Sequence, residues 1–142
     1  MANLVYNYFK KAVMQGSFNL GSFPVYGALV GSNYTADNDL HVYHSSLSEV
    51  VTPSNYQASF ALSSPVVSTN STTNEGVFDA ADVLLANVTF GTEVRACVLF
   101  GSSGSGSASD PLIAYVDFGS NQAVTAGTFQ IQWAAGGILA MT

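Results

Sequence analysis

Hydrophobic and polar positions alternate most clearly near the carboxyl end of the chain. Apolar side chains occupy every second position there, at Phe129, Ile131 and Trp133, and polar residues stand between them. A period of two is the signature of a strand with one face in water. The preceding segment 112–118 carries apolar residues on nearly both faces, which predicts a central strand. Pro111 fits only at the start of that strand because it lacks a ladder donor.

Further apolar segments, separated by polar turns, predict most of the remaining chain to be β-structure. The predicted strands are residues 23–30, 50–51, 57–62, 66–69, 76–80, 82–90, 94–100 and 138–141. Segment 82–90 is either a strand pair or one strand with a bulge, and segment 94–100 places Val94, Ala96, Val98 and Phe100 on one face. This spacing suits a meander or Greek key. We expect a mainly β, single-domain antiparallel β-sandwich, jelly-roll-like, with a short N-terminal helix.

The helix is predicted over residues 4–15, with Asn3 as its cap and Gly16 as its stop. Its apolar stripe consists of Leu4, Val5, Tyr8, Phe9, Ala12 and Val13. A helix of this length is marginal alone in water, so it must dock on another surface. We favour docking on an open face of its own sheet over an arm laid on a neighbouring subunit. The organisation expected is a helix or arm at 1–16 and a β-sandwich domain at 17–142.

Composition and charge restrict the partners of such a domain. Charged residues make up 8% of the 142-residue chain, against about 25% in ordinary proteins. The net charge is -6, and Lys10, Lys11 and Arg95 are the only Lys or Arg residues. No basic stripe exists to neutralise phosphates, which argues against nucleic acid and anionic membranes as partners. We also find no secretory h-region and no spanning apolar run, and expect a soluble chain made in the cytoplasm.

The polar segment 32–48 contains a candidate metal cluster formed by Asp37, Asp39, His41 and His44. The first three could converge on one ion if the segment were extended. The pattern lacks the Gly and terminal Glu of a calcium loop, and no second acidic group is spaced to complete a zinc site. We therefore favour loop aspartates that accept backbone N–H groups, and predict no metal and no cofactor.

The single cysteine, the single arginine and a Gly/Ser-rich segment are also expected to have structural rather than chemical roles. Cys97 lies in an apolar run without a neighbouring base and is expected to be a small buried hydrophobe. Arg95 is expected to form a surface or interface ion pair. The low-complexity segment 101–109 is expected to be a flexible loop, because no helix follows it to bind phosphate. The chain has no G-x-S-x-G elbow and no recognisable acid/base pair of carboxylates, which predicts a protein that is not an enzyme.

Three blocks of the sequence resemble a widespread family of small tailed-phage structural proteins. They are N-L-V-Y-N-Y-F-K-K-A-V-M-Q-G at the start, E-G-V-F-D-A-A-D-V in the middle, and P-L-I-A-Y-V-D-F-G-S-N-Q-A-V-T-A-G-T-F-Q-I-Q-W near the end. The resemblance covers the chain almost end to end, and the last block is its most specific part. It brings no catalytic motif with it. The chain departs from the family in its Ala, Gly and Ser richness at 101–109 and 133–137.

The resemblance implies a capsid decoration, or cement, protein that binds the major capsid protein lattice. The expected location is the capsid surface of the virion, after synthesis in the host cytoplasm, and the expected oligomer is a homotrimer over junctions between capsid subunits. A weakly charged β-scaffold agrees with such a role. The candidate interface residues are Leu4, Tyr8, Phe9, Tyr34 and Tyr43.

Two alternative functions remain open from the sequence. A tail, neck or head-fibre component of the same virion would have the same composition and fold. A surface carbohydrate-binding β-sandwich would instead need a row of exposed aromatic residues, for which Tyr34, Tyr43 and Tyr56 are the candidates.

Overall fold

The computed structural model describes residues 2–142, which form antiparallel sheets and one short helix. Strands account for 41% of the residues and helix for 8%, so the mainly β prediction is confirmed and the architecture is consistent with a β-sandwich; the jelly-roll type stays a prediction. The helix is α1 (Asn7–Met14). The strands are β1 (Leu4–Val5), β2 (Val25–Val30), β3 (Val50–Val51), β4 (Ser59–Ala61), β5 (Val66–Asn70), β6 (Glu75–Asp79), β7 (Val83–Val88), β8 (Val94–Gly101), β9 (Leu112–Gln122), β10 (Gly127–Ile131) and β11 (Leu139–Met141).

The largest sheet lies at the centre of the molecule and separates two hydrophobic cores. Its strand order is β1-β9-β8-β2-β3, and β4 also pairs with β2. On β8, Cys97 and Leu99 join one core, while Ala96, Val98 and Phe100 join the other. Apolar residues on both faces thus hold β8 and the first half of β9 in the interior, which confirms the central strand predicted at 112–118.

The predicted face of segment 94–100 is only partly right. Val94 pairs with Gln122 while Ala96 pairs with Asp117, so the register between β8 and β9 shifts at this point. Because of that irregularity Val94 lies in the core that contains Cys97, not in the one that contains Ala96. Strict alternation cannot reveal a bulge of this kind, since the extra residues are on the partner strand.

The N-terminal helix begins three residues later than predicted. Leu4 and Val5 form β1, opposite Tyr115 and Ala114 of β9. The side chain of Asn3 does not cap the helix; its Oδ1 accepts the backbone N–H of Asp117 at 2.7 Å. The predicted stop is correct, because α1 ends at Met14 and Gly16 follows at a φ of 70°.

The helix docks on its own chain, as favoured from the sequence. Phe9 is 1% exposed and Ala12 is 4% exposed, and both belong to the core that includes Ile113 of β9. The apolar stripe of α1 is therefore used inside the fold. An arm on a neighbouring subunit would need Phe9 and Ala12, which this fold already buries.

Two smaller sheets complete the fold, with the orders β11-β6-β5 and β10-β7. The predicted strands 66–69, 76–80 and 138–141 correspond to β5, β6 and β11. Segment 82–90 is one strand with a bulge, where Ala86 and Asn87 of β7 oppose the single residue Thr128 of β10, and Asn87 has a φ of 55°. On β10, Phe129 and Ile131 are buried and Gln130 between them is exposed, as the alternation predicts.

Candidate functional site

The five candidate interface residues divide into buried and partly exposed members. Phe9 and Tyr34 are 1% and 3% exposed, so both are core residues that present almost no surface to a partner. Leu4, Tyr8 and Tyr43 are half-buried. The rings of Tyr8 and Tyr43 meet edge to face with their centroids 5.4 Å apart, and the Tyr43 hydroxyl donates to that of Tyr8 at 3.3 Å. The structure thus brings these two tyrosines together at the surface.

Tyr34 belongs to a buried polar network. Its hydroxyl bonds to that of Tyr6 at 2.9 Å and to Nδ1 of His41 at 2.9 Å. The backbone N–H of Asp37 also donates to this Nδ1, at 3.2 Å, so Nδ1 accepts and the Tyr34 hydroxyl donates to it. Burial raises the pKa values of Tyr6 and Tyr34. Through these hydrogen bonds the polar segment 32–48 is connected to Tyr6, near the N-terminus.

The residues of the candidate metal cluster do not converge. Oδ1 of Asp37 accepts the backbone N–H groups of Asp39 and Leu40, both at 2.9 Å, and these bonds lower the pKa of Asp37. The carboxylate of Asp39 accepts instead from the Asn7 side chain. The loop-aspartate interpretation is therefore confirmed for Asp37. Within residues 2–142 no three His, Cys, Asp or Glu side chains are arranged to hold a metal ion.

His44 and Cys97 are packed into the fold. The His44 ring stacks on Phe100 with centroids 4.1 Å apart, and burial lowers the pKa of the imidazole. Cys97 is fully buried, and burial raises the pKa of its thiol to about 12. A thiol in this state is a poor nucleophile, which agrees with the predicted role of Cys97 as a small hydrophobe.

The segment 101–109 is anchored at its end by Asp110, the one buried charged residue of the described chain. Its Oδ1 accepts the backbone N–H of Ser103 at 2.7 Å and the Ser103 hydroxyl at 2.9 Å. The backbone carbonyl of Asp110 accepts from the N–H of His44 at 2.8 Å. These bonds account for the burial of an acidic side chain beside a Gly/Ser loop.

An open groove of about 630 Å³ lies between β1 and β9 on one side and β10 and β11 on the other. Phe129, Ile131 and Leu139 contribute buried apolar side chains to it, and Gln132 and Trp133 contribute more exposed ones. Such a lining can bind apolar or amide-bearing groups.

One carboxylate, that of Asp117, lines this groove. Arg95 holds it through Nε, 2.6 Å from Oδ1, and through Nη2, 3.1 Å from Oδ2, which confirms the ion pair predicted for Arg95. The guanidinium lowers the pKa of Asp117 to about 2. A carboxylate with so low a pKa is a weak general base near neutral pH.

The row of tyrosines proposed for carbohydrate binding is not formed. Tyr34 lies in the core, Tyr43 contacts Tyr8, and the hydroxyl of Tyr56 accepts the backbone N–H of Ala86 at 2.9 Å on β7. The three rings therefore share no exposed plane.

The sequence interpretation missed an exposed strand edge. Every residue of β5 is exposed, and β5 is an end strand of its sheet. By contrast, β7 is covered near its bulge, where side chains from residues 54–56 bond to the backbone of Ala86, Asn87 and Thr89. The signal that could have identified this edge is the complete lack of Asp, Glu, Lys and Arg from residue 50 to residue 74.

No family model, curated protein or solved structure matches the chain. None of its helices, within residues 2–142, has the length and apolar character needed to cross a membrane.

Proposed function

We propose that this chain is a non-enzymatic structural protein of a tailed-phage virion. It decorates the capsid and stabilises it by binding the lattice of the major capsid protein. The observation that carries the proposal is the weakly charged surface, since the chain has only three Lys or Arg and nine Asp or Glu residues. The centres of protein interfaces are depleted of charge, because burying an unpaired charge is costly.

The central sheet, which has a hydrophobic core on each face, supports a role in stabilising the capsid. The side chains of β8 pack into cores on both faces, and the N-terminal segment is tied to β9 through β1 and α1. A rigid scaffold loses little conformational entropy when it binds. A capsid presents the same site many times, so a homotrimer placed over a junction of capsid subunits gains avidity from modest individual contacts.

The Tyr8 and Tyr43 pair is the contact we assign to the capsid. Both rings are half-buried, and they line a small recess of about 190 Å³ together with Phe23 and Pro111. Tyrosine is favoured at interfaces because it combines a large apolar ring with a hydroxyl that bonds to polar groups. Leu4, the third partly exposed candidate, lies in β1.

The proposal is tested by adding the purified protein to phage shells that lack it. We expect saturable binding at a fixed ratio to the major capsid protein and a higher melting temperature of the shell. Tyr43→Ala should weaken binding by on the order of tenfold. Tyr56→Ala is the matched control, because it also removes a partly exposed tyrosine, one whose hydroxyl bonds only to the backbone of Ala86, outside this recess.

The two parts of the proposal fail in different ways. If the wild-type protein shows no saturable binding to the shells, the decoration function is wrong. If wild type binds and Tyr43→Ala binds equally well, the function stands and the assigned contact is wrong.

A further inference from the structure

Strand β5 has an unprotected edge. Val66 and Val67, on opposite faces of the strand, are each 53% exposed, and no other strand in the described chain pairs with its outer side. Proteins protect edge strands by making them very short, by covering them, or by placing lysine, proline or a bulge within them. β1 and β3 have two residues each. β5 has five residues and none of these protections, since Pro65 stands before the strand.

The outward backbone groups of β5 can be identified from its neighbour. The carbonyl of Phe78 in β6 accepts the N–H of Ile138 at 2.9 Å, so the polar groups of Phe78 point toward the β11 side. Val67 is the β5 residue paired with Phe78, and Thr69 is two positions further on. Since bonded and non-bonded pairs alternate in an antiparallel ladder, Val67 and Thr69 direct their N–H and C=O groups away from β6.

The charge distribution favours the approach of a like surface to this edge. Residues 50–74 contain no Asp, Glu, Lys or Arg, although the chain as a whole has a net charge of -6. Two copies that meet through β5 therefore bring no like charges into direct contact at the strand. The nearest acidic residues, Asp79 and Glu75, lie on β6, one strand further from the edge.

We propose that β5 pairs with β5 of a second copy of this chain, antiparallel, about a two-fold axis at Ser68. In this register Val67 lies opposite Thr69 of the partner subunit, so the outward N–H and C=O groups of both strands are satisfied reciprocally. The exposed side chain of Val66 lies opposite Asn70 of the partner subunit. The sheet β11-β6-β5 then continues from one copy into the other, as in other cases of strand addition.

The self-complementary register is the reason to choose a second copy over a strand of another protein. A strand that pairs with itself buries the same surface on both subunits, which is the property of a two-fold interface. A contact of two short strands is much smaller than the roughly 1,600 Å² of a standard interface. The dimer is therefore weak and forms at high protein concentration. It does not depend on the proposed capsid function, and in a trimer it would link two trimers.

The experiment measures self-association by sedimentation velocity over a rising series of protein concentrations, without capsid protein. Wild type should associate further as its concentration rises. Ser68→Lys and Ser68→Glu each place like charges directly opposite one another at the axis, and each alone should weaken association about fivefold. An equimolar mixture of the two variants should restore it. Thr128→Lys, on an exposed position of β10, is the matched control and should behave as wild type.

A second variant tests the backbone contact. Thr69→Pro removes an outward N–H that β6 does not use, so the fold should be kept while association falls by on the order of tenfold. Circular dichroism spectra like that of wild type would verify the fold of each variant. The proposal is overturned if wild type shows no concentration-dependent association, or if the Ser68 variants associate as wild type does.

Discussion

At the scale of single residues, the Arg95 and Asp117 pair joins the two longest strands, β8 and β9. The pair is bidentate, and Oδ1 of Asp117 also accepts the N–H of Gly119 at 3.1 Å. It lies where the register between β8 and β9 shifts. Bidentate geometry makes it stronger than most surface ion pairs. The pair therefore holds β8 and β9 together at a point where the ladder of backbone hydrogen bonds between them is irregular.

The low pKa of Asp117 predicts a specific loss of stability in acid. The folded pKa of about 2 lies below the unfolded value of about 3.9. A depressed carboxylate pKa stabilises the fold above the unfolded pKa, and the contribution is lost as pH falls through the folded pKa. Between about pH 4 and pH 2, wild type should therefore lose stability more steeply than Asp117→Asn.

The measurement is the urea midpoint at a series of pH values across that window. Glu49→Gln is the control, because it removes an exposed carboxylate that forms no ion pair within residues 2–142. Parallel pH curves for wild type and Asp117→Asn would show that the ion pair contributes nothing to acid sensitivity.

The burial of Cys97 could be predicted because its immediate sequence neighbours are apolar. An ion pair could be predicted for Arg95 from its residue type, but its partner Asp117, 22 positions later, could not. Tyr34 could not. Its neighbours are polar, and the hydroxyl that satisfies it belongs to Tyr6, 28 positions earlier in the chain. A buried polar pair depends on long-range contacts, which a local pattern does not contain.

At the scale of elements, the glycine in the middle of β2 permits two strands to meet closely. This glycine is Gly27, which lies opposite Phe60 of β4 in the sheet. A Cβ atom at this position would lie 2.6 Å from a ring carbon of Phe60 and 3.0 Å from Sγ of Cys97. The absence of a side chain thus allows Phe60 of β4 to pack over β2.

We predict that Gly27→Ala destabilises the protein by about 1–3 kcal/mol, because the Phe60 ring must move to admit the methyl group. Gly136→Ala is the matched control: its Cβ would meet no atom within 4 Å, so the change should be neutral or slightly stabilising. Both free energies of unfolding are measured by urea denaturation. Equal stability of Gly27→Ala and wild type would mean that the close contact with Phe60 is not maintained in solution.

Strands with two apolar faces or strict alternation, such as β9 and β10, were predictable because their side-chain pattern directly reflects burial. The start of α1 was not. Leu4 and Val5 fit an apolar helical stripe as well as a strand, and what decides between them is pairing with Tyr115 and Ala114. Local spacing cannot identify a strand partner more than a hundred residues away.

At the scale of the whole molecule, the fold combines a rigid interior with a sparsely charged exterior. The central sheet separates two cores, and the groove beside β10 and the uncovered edge of β5 face the solvent. Composition predicted the low charge of the surface directly. The strand order β1-β9-β8-β2-β3 was not predictable, because neighbours in the sheet are distant in the sequence and the turn signals specify only strand ends.

The copy number of this chain relative to the major capsid protein, measured by quantitative mass spectrometry of purified particles, tests the decoration function most directly. We predict a fixed ratio that corresponds to on the order of hundreds of copies per particle, since a lattice-binding protein occupies every equivalent site. About a dozen copies or fewer, the number that a ring at the tail, neck or a vertex would hold, would contradict capsid decoration. Absence of the chain from purified particles would contradict a virion role altogether.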